Sequence, residues 1–348
     1  MPPLKFIGAV FFACLLLGVA DVCAQSLVNT DDATTHTFFH RGVTITCPRS
    51  GQVWATDATA HSMDEIKQLG GNAVTIHPYA RIHRDGSVRF SPEFHQRTVS
   101  ASAQFAKERG LYYFLKPHLA YWGSGFSWRG EIDFKDDAEA WGRFNYSYTQ
   151  FITSIAAQAE EAGAQLFAVG VELKATEHFN EGWRRIIDDV RKVYSGKVVY
   201  SANWDSIHKV KFWDACDYIG IQGYFPVTTS DNLYPTEEQL HEAWNKLLAE
   251  LEQLSHEYNR PIIFCELGYD HTPRAAVEPW KGYFRTEYTD KDFELQERLY
   301  KVALERLERA DFVHGVYLWK WNPIPESRED FRVESSRMQQ FLKTRWGN

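Results

Sequence analysis

The sequence predicts a single (β/α)8 barrel, and three observations carry that expectation. Eight short apolar runs alternate with amphipathic stretches, the order that produces parallel strands joined by right-handed crossovers. Within most runs, bulky apolar residues take one parity and small or polar residues the other. Strand side chains alternate faces, so each strand offers one face to helices and one to an interior. Polar and aromatic residues also gather at the C-terminal ends of the runs, where a barrel opens to its ligand. Eight units favour closure, because a doubly wound sheet usually stops at about five to seven strands.

The elements follow in order. The first strand is expected over Gly42–Cys47 and the second over Asn72–His77, with Val74 and Ile76 opposing Thr75, His77 and Tyr79. A helical pattern over Ser91–Arg109 leads to a third strand, Leu111–His118, where Leu115 and Pro117 oppose Lys116 and His118. After a helix over Asp137–Glu161 comes the fourth strand, Gln165–Glu172. It turns Phe167, Val169 and Val171 toward the helices and Leu166, Ala168, Gly170 and Glu172 the other way. A helix over Glu181–Tyr194 precedes the fifth strand, Lys197–Trp204, and the sixth, Asp217–Tyr224. In the sixth, Ile219 and Ile221 oppose Gly220, Gln222 and Tyr224. A helix over Glu237–Tyr258 leads to the seventh strand, Pro261–Glu266, and a helix over Asp292–Arg309 to the eighth, Val313–Trp321. There Val316 and Leu318 oppose Gly315, Tyr317, Trp319 and Trp321, and Glu334–Thr344 closes the chain as a helix.

Composition narrows the function. The chain has 348 residues, 38 Lys+Arg against 46 Asp+Glu, and a formal charge of −8. Nucleic-acid proteins need a clustered surplus of cations, so that class is set aside. Twelve Trp, 17 Tyr and 23 Phe provide flat apolar faces beyond the needs of a core. At the N-terminus, Lys5, the apolar run 6–20 and Val22-Cys23-Ala24 follow the layout of a secretory signal. Residues 1–24 are therefore expected to be a signal peptide and 25–348 one catalytic domain, secreted or periplasmic and monomeric. The run is short for a membrane span, which needs about 20 residues; a retained anchor is the alternative. The remaining cysteines, Cys47, Cys216 and Cys265, lie in or beside strand-like runs and read as buried thiols rather than a disulfide framework.

Glu172 ends the fourth strand and Glu266 the seventh. Two carboxyls converging over a barrel mouth at about 5 Å are what double-displacement glycoside hydrolysis requires. One must stay protonated and the other ionised, so their surroundings must push their pKa values apart. For each Glu alone, an ion-paired rim residue is the bland alternative. Tyr224 could donate to Glu266, and Arg81, just past the second strand, could stabilise its charge or be a solvated loop residue. His77 and His118 could bond sugar hydroxyls; their spacing with Glu172 does not support a metal site. Lys116 could bond hydroxyls or pair with a carboxylate. Asn203 or Trp204 faces the mouth, depending on parity. Trp319 and Trp321 share a face by alternation, and either forms a platform for a pyranose or both belong to the core. The segment 120–135, with Trp122, Trp128, Arg129 and Glu131, has the length of a functional loop. The segment 268–290, with Trp280 and Tyr283, could wall the opposite side.

Several of these stretches resemble glycoside hydrolase family 113. They are Lys116-Pro117-His118, Trp128-Arg129-Gly130-Glu131-Ile132, Val169-Gly170-Val171-Glu172-Leu173, Ala202-Asn203-Trp204-Asp205, residues 218–226, residues 264–269 and Trp319-Lys320-Trp321. The resemblance runs from about Gly42 to Trp321. It implies a retaining mechanism with Glu172 as acid/base and Glu266 as nucleophile, no cofactor, and a β-1,4-mannan or manno-oligosaccharide substrate. Many members of the wider clan carry Asn before the acid/base where this chain has Val171, which leaves the sugar open. The expected function is thus a retaining glycosidase on β-linked, mannose-containing saccharides. The alternatives are a non-catalytic carbohydrate-binding barrel and a relative acting on β-glucan.

Overall fold

A computed structural model describes residues 38–47, 51–282, 288–324 and 331–347. The expected signal segment and Tyr283 lie outside the described residues. Among the described residues there are eleven strands: β1 His40–Ile45, β2 Ala73–Ile76, β3 Tyr79–Ile82, β4 Val88–Arg89, β5 Tyr112–Leu115, β6 His118–Ala120, β7 Leu166–Val171, β8 Lys197–Asn203, β9 Tyr218–Gln222, β10 Ile262–Leu267 and β11 Val313–Trp321. The same residues form seven α-helices: α1 Asp57–Gln68, α2 Pro92–Glu108, α3 Ala138–Ala162, α4 Asn180–Arg191, α5 Glu237–Tyr258, α6 Asp290–Leu307 and α7 Ser336–Trp346. Eight strands close into a parallel barrel in the order β1-β11-β10-β9-β8-β7-β5-β2.

Local chemistry sets several boundaries. Asp137 caps α3 by accepting from the Ala140 N–H at 2.9 Å, and Gly163 in the left-handed region stops it. A capping box of Thr236 and Gln239 opens α5. The second and third barrel strands end earlier than expected, at Ile76 and Leu115. Pro78 and Pro117 have no N–H to extend those ladders. Beyond each proline the chain re-pairs outside the barrel, where β3 runs parallel to β6 and antiparallel to β4 in a small side sheet.

The fifth unit departs from the strand-helix pattern. Only residues 204–217 join β8 to β9, and they form two 3-10 turns, Ile207–Lys209 and Trp213–Ala215. Aromatic rings cover this side instead: Trp183, Tyr200 and Phe212 pack with centroids 4.8–5.6 Å apart.

Hydrophobic packing separates into two layers. Between strands and helices lies a large core that includes Val74, Ile76, Leu115, Phe167, Val169, Ile219, Ile221, Val316 and Leu318. Inside the barrel lies a small cluster of Ala73, Phe114, Leu166, Ala168, Val171, Val199, Ile263, Cys265 and Tyr317. Cys216 and Cys265 are buried and form no disulfide.

Simple alternation fails at three strand ends, each time at a register shift. One extra residue enters β7 between Ala168 and Gly170 relative to β8. Another enters β10 between Phe264 and Glu266 relative to β9. A third enters β11 between Leu318 and Trp321 relative to β1. Such bulges re-aim side chains. Past the first, Val171 turns into the barrel rather than toward the helices. Gly170 turns outward, where an added Cβ would lie 2.7 Å from the Trp183 and Tyr200 rings. Past the third, Trp321 enters the outer core at 1% exposure, while Trp319 stays half-buried. The two tryptophans do not share a face.

Candidate active site

All three bulged strands end at the C-terminal rim with a candidate residue: Glu172 after β7, Glu266 in β10 and Trp319 in β11. Glu266 is buried and accepts from two donors, with a third group close by. The Lys116 ammonium, fully buried, contacts its Oε1 and donates to the Cys265 carbonyl at 3.0 Å. The Tyr224 hydroxyl donates to its Oε2 at 2.7 Å. The Nε2 of His118 lies 3.9 Å from Oε1. An ammonium and a phenol thus converge on one carboxylate, each donating to a different oxygen. Burial, with the Glu266 charge next, holds the Tyr224 hydroxyl far above the usual tyrosine range, so it remains a donor.

Glu172 has a different environment. Its backbone is in the left-handed region, φ 54°, and its N–H donates to the Ser201 carbonyl at 2.9 Å. That conformation costs a non-glycine residue roughly 1–2 kcal/mol and lifts the side chain off the strand into the mouth. Its Oε2 is 3.4 Å from Nη1 of Arg129. Burial pushes the carboxyl pKa up to about 7; Arg129 opposes that rise and the negative charge of Glu266 adds to it. Arg129 Nη1 also lies 2.9 Å from Nδ1 of His118, so a guanidinium and an imidazole stand between the two glutamates.

His77 and His118 stack with centroids 5.0 Å apart. Burial first, then the neighbouring cations, keeps both well below the usual histidine pKa, so both rings are neutral. Neither ring nitrogen of His77, nor Nε2 of His118, hydrogen-bonds to another residue. Buried polar atoms left in this state are costly. The Trp319 ring is 5.5 Å from His77 and lies under the Lys116 ammonium at 5.5 Å. His77, Lys116, His118, Tyr224, Glu266 and Trp319 thus form one contact cluster. No group of three or more His, Cys, Asp or Glu side chains among the described residues is arranged to hold a metal ion.

Glu172 also opens onto a cleft of about 520 Å3. Trp128, Asn203 and Trp204 line it, so both residues at the end of β8 face this cleft. Arg129, Trp280, Tyr121 and Asp205 complete it. Tyr121 carried no sequence signal beyond its place in the loop, and Asp205 was visible only as the end of a motif. A separate cleft of about 540 Å3, near Phe38, Tyr112 and Glu160, sits at the N-terminal strand ends and holds none of the candidates.

Two expectations fail. Arg81 is exposed on the side sheet and donates to the Trp122 carbonyl at 3.1 Å; Lys116 is the cation on Glu266. Trp321 is core, for the bulge described above.

Comparisons agree with this fold. The barrel superposes on a β-1,4-mannanase of glycoside hydrolase family 113 with TM-score 0.77 and 24% identity, covering 89% of this chain and 99% of that one. A β-mannanase of that family from Alicyclobacillus acidocaldarius gives TM-score 0.75 and 23% identity over 89% and 97%. A Ruminococcus gnavus β-glucuronidase gives 0.59 and 12%, covering 89% of this chain and half of that one. No curated protein matches the sequence significantly. The sequence profile of glycoside hydrolase family 113 matches residues 43–336. With a rim of this chemistry on a closed parallel barrel and a family match across most of its length, the chain belongs to glycoside hydrolase family 113 and is a glycoside hydrolase.

Proposed function

We propose that the protein is an exported retaining β-mannanase-like enzyme in which Glu172 is the acid/base and Glu266 the nucleophile. The carrying observation is the contrast between the two carboxyls: one pushed up to about 7 by burial, the other held by an ammonium and a phenol. Glu172, protonated, gives its proton to the glycosidic oxygen as that bond breaks. Glu266 attacks the anomeric carbon and forms a covalent glycosyl ester. Ionised Glu172 then takes a proton from water, whose oxygen displaces Glu266 with net retention. Before the first step Lys116 and Tyr224 hold Glu266 as an acceptor and fix its direction. The unbonded His77 and His118 nitrogens receive sugar hydroxyls, and Trp319 supplies an apolar face for the ring.

Mannan is the proposed substrate because the family members named above are mannanases. Residues 1–24 act as a cleaved signal ahead of a monomeric catalytic domain, 25–348. No described helix is long and apolar enough to cross a membrane. A panel of defined β-linked oligosaccharides, followed by proton NMR of the first-formed anomer, tests the reading. Release of the β anomer from manno-oligosaccharides supports it. The α anomer first would establish inversion instead, and turnover only of glucans would reassign the sugar.

A further inference from the structure

A single nitrogen of Arg129 serves two neighbours. Arg129 opens the 3-10 turn Arg129–Glu131, and its side chain is largely buried. Its Nη1 carries two hydrogens and lies 2.9 Å from Nδ1 of His118 and 3.4 Å from Oε2 of Glu172. A guanidinium donates and never accepts, so Nδ1 of His118 offers a lone pair to it. The same contact excludes an imidazolium, whose Nδ1–H would face a donor. A neutral ring with no proton on Nδ1 carries it on Nε2. Neutrality has independent support: burial first, then the charge of Arg129, then His77 and Lys116, keeps the ring well below the usual histidine pKa.

That assignment decides what the ring shows to Glu266. Nε2 of His118 is 3.9 Å from Oε1 of Glu266, the oxygen that Lys116 also contacts, and has no hydrogen-bond partner. The ring is held in this pose. His77 stacks on it with centroids 5.0 Å apart, and Tyr79 meets it edge-on at 5.7 Å. The backbone N–H of His118 donates to the Pro78 carbonyl at 2.8 Å. An N–H turned toward a carboxylate oxygen attracts it, whereas a lone pair in the same place repels it.

With Glu172 and Glu266 in the roles proposed above, on which this inference rests, we infer that Arg129 is a positioning residue for the nucleophile. It fixes the Nε2–H tautomer of His118 and so keeps a donor, not a lone pair, turned toward Glu266. Which nitrogen of a histidine carries the proton is set by the bond that the other one makes. A wrong tautomer costs rate even where the surrounding geometry is intact. The guanidinium thus acts on Glu172 by its charge and on Glu266 through an imidazole.

Nitrogen-15 NMR of histidine-labelled protein reads the tautomer without substrate. His118 is assigned among the 13 histidines by the loss of its signals in His118→Gln. The parent should show a protonated Nε2 and a bare Nδ1, and Arg129→Met should shift His118 toward the Nδ1–H form. An Nδ1–H or doubly protonated His118 in the parent, or an unchanged tautomer in Arg129→Met, would overturn the inference. The kinetic arm uses dinitrophenyl β-mannoside, whose departure needs no proton from Glu172, so that kcat/KM reports attack by Glu266. Arg129→Met should lower it about 10-fold, less than a directly bonded donor is worth. In a His118→Gln background the amide offers an N–H without help from Arg129, and the same substitution should cost less than about 2-fold. An equal loss in both backgrounds, in protein shown by circular dichroism to be folded, would also overturn it. A parent inactive on every β-mannoside would instead overturn the mannoside reading, while the NMR arm still decides the tautomer.

Discussion

Glu177 sits five residues beyond Glu172, buried at 1% exposure behind the rim. Its Oε1 accepts from the Tyr200 hydroxyl at 3.2 Å and the Ser206 hydroxyl at 3.1 Å, while Oε2 has no partner among the residues. The carboxyl therefore ties the segment after β7 to the turn that follows β8, the two pieces of chain that carry Glu172 and Asp205. Burial raises its pKa from 4.5 to about 7, against the two hydroxyl donors and Lys174, with the charge of Asp205 adding to the rise. A folded-state value above the unfolded one means the native state prefers the protonated acid. The stability this contributes is complete below about pH 4.5 and is lost as pH rises through about 7. Its size is about 3 kcal/mol. Glu177→Gln keeps the acceptor oxygen and cannot ionise. Its amide nitrogen, placed where Oε2 has no partner, costs about 1–3 kcal/mol at every pH. The diagnostic is thus the change in Tm on substitution at pH 8 minus that at pH 4. At about 2 °C per kcal/mol for a chain of this size, the variant should gain about 6 °C relative to the parent between those two pH values. A substitution effect that is the same at both pH values, within about 1 °C, would refute the reasoning.

Other consequences are equally direct. Arg129 holds the Glu172 carboxyl down against burial, so Arg129→Gln should move the alkaline limb of the kcat/KM–pH profile to higher pH. A limb that stays in place or moves to lower pH would contradict that role. Trp321→Ala should lower unfolding free energy by about 3–5 kcal/mol in denaturant. Trp319→Ala, at a half-buried position, should cost less stability and more kcat/KM. Gly170→Ala drives a methyl against Trp183 and Tyr200 at 2.7 Å and should destabilise by about 1–3 kcal/mol; a neutral result would place Gly170 on the inner face after all.

Much of this barrel was legible because parallel strands must alternate and must end in something. Lys116 and His118 read as inward-facing from the parity of Leu115 and Pro117, and both point to Glu266. Tyr224, at the end of the sixth run, is where alternation put it. What alternation could not show is where it stops. An inserted residue in β7, β10 or β11 leaves no mark in a pattern of period two, so Val171, Gly170 and Trp321 were read on the wrong face. Of the two readings open for Arg81, the solvated one fits: the chain turns out of the barrel at Pro78, and Lys116, on the neighbouring strand, is the cation at Glu266. The fifth crossover was too short for a helix, and the length of 204–217 alone was the available signal. Arg129 stood in view within its loop, yet its bridge between Glu172 and His118 depends on how that loop folds back, which no spacing encodes.

The proposed roles require Glu266 to form a bond to sugar and Glu172 to assist departure. Glu172→Ala mixed with an activated dinitrophenyl β-mannoside should complete the first step, since that leaving group needs no proton, and stall before water attacks. Peptide mapping by mass spectrometry should then find one glycosyl unit on the peptide that contains Glu266. A glycosyl unit on any other peptide, or none while Glu172→Ala hydrolyses the same substrate as fast as the parent, would contradict the assignment.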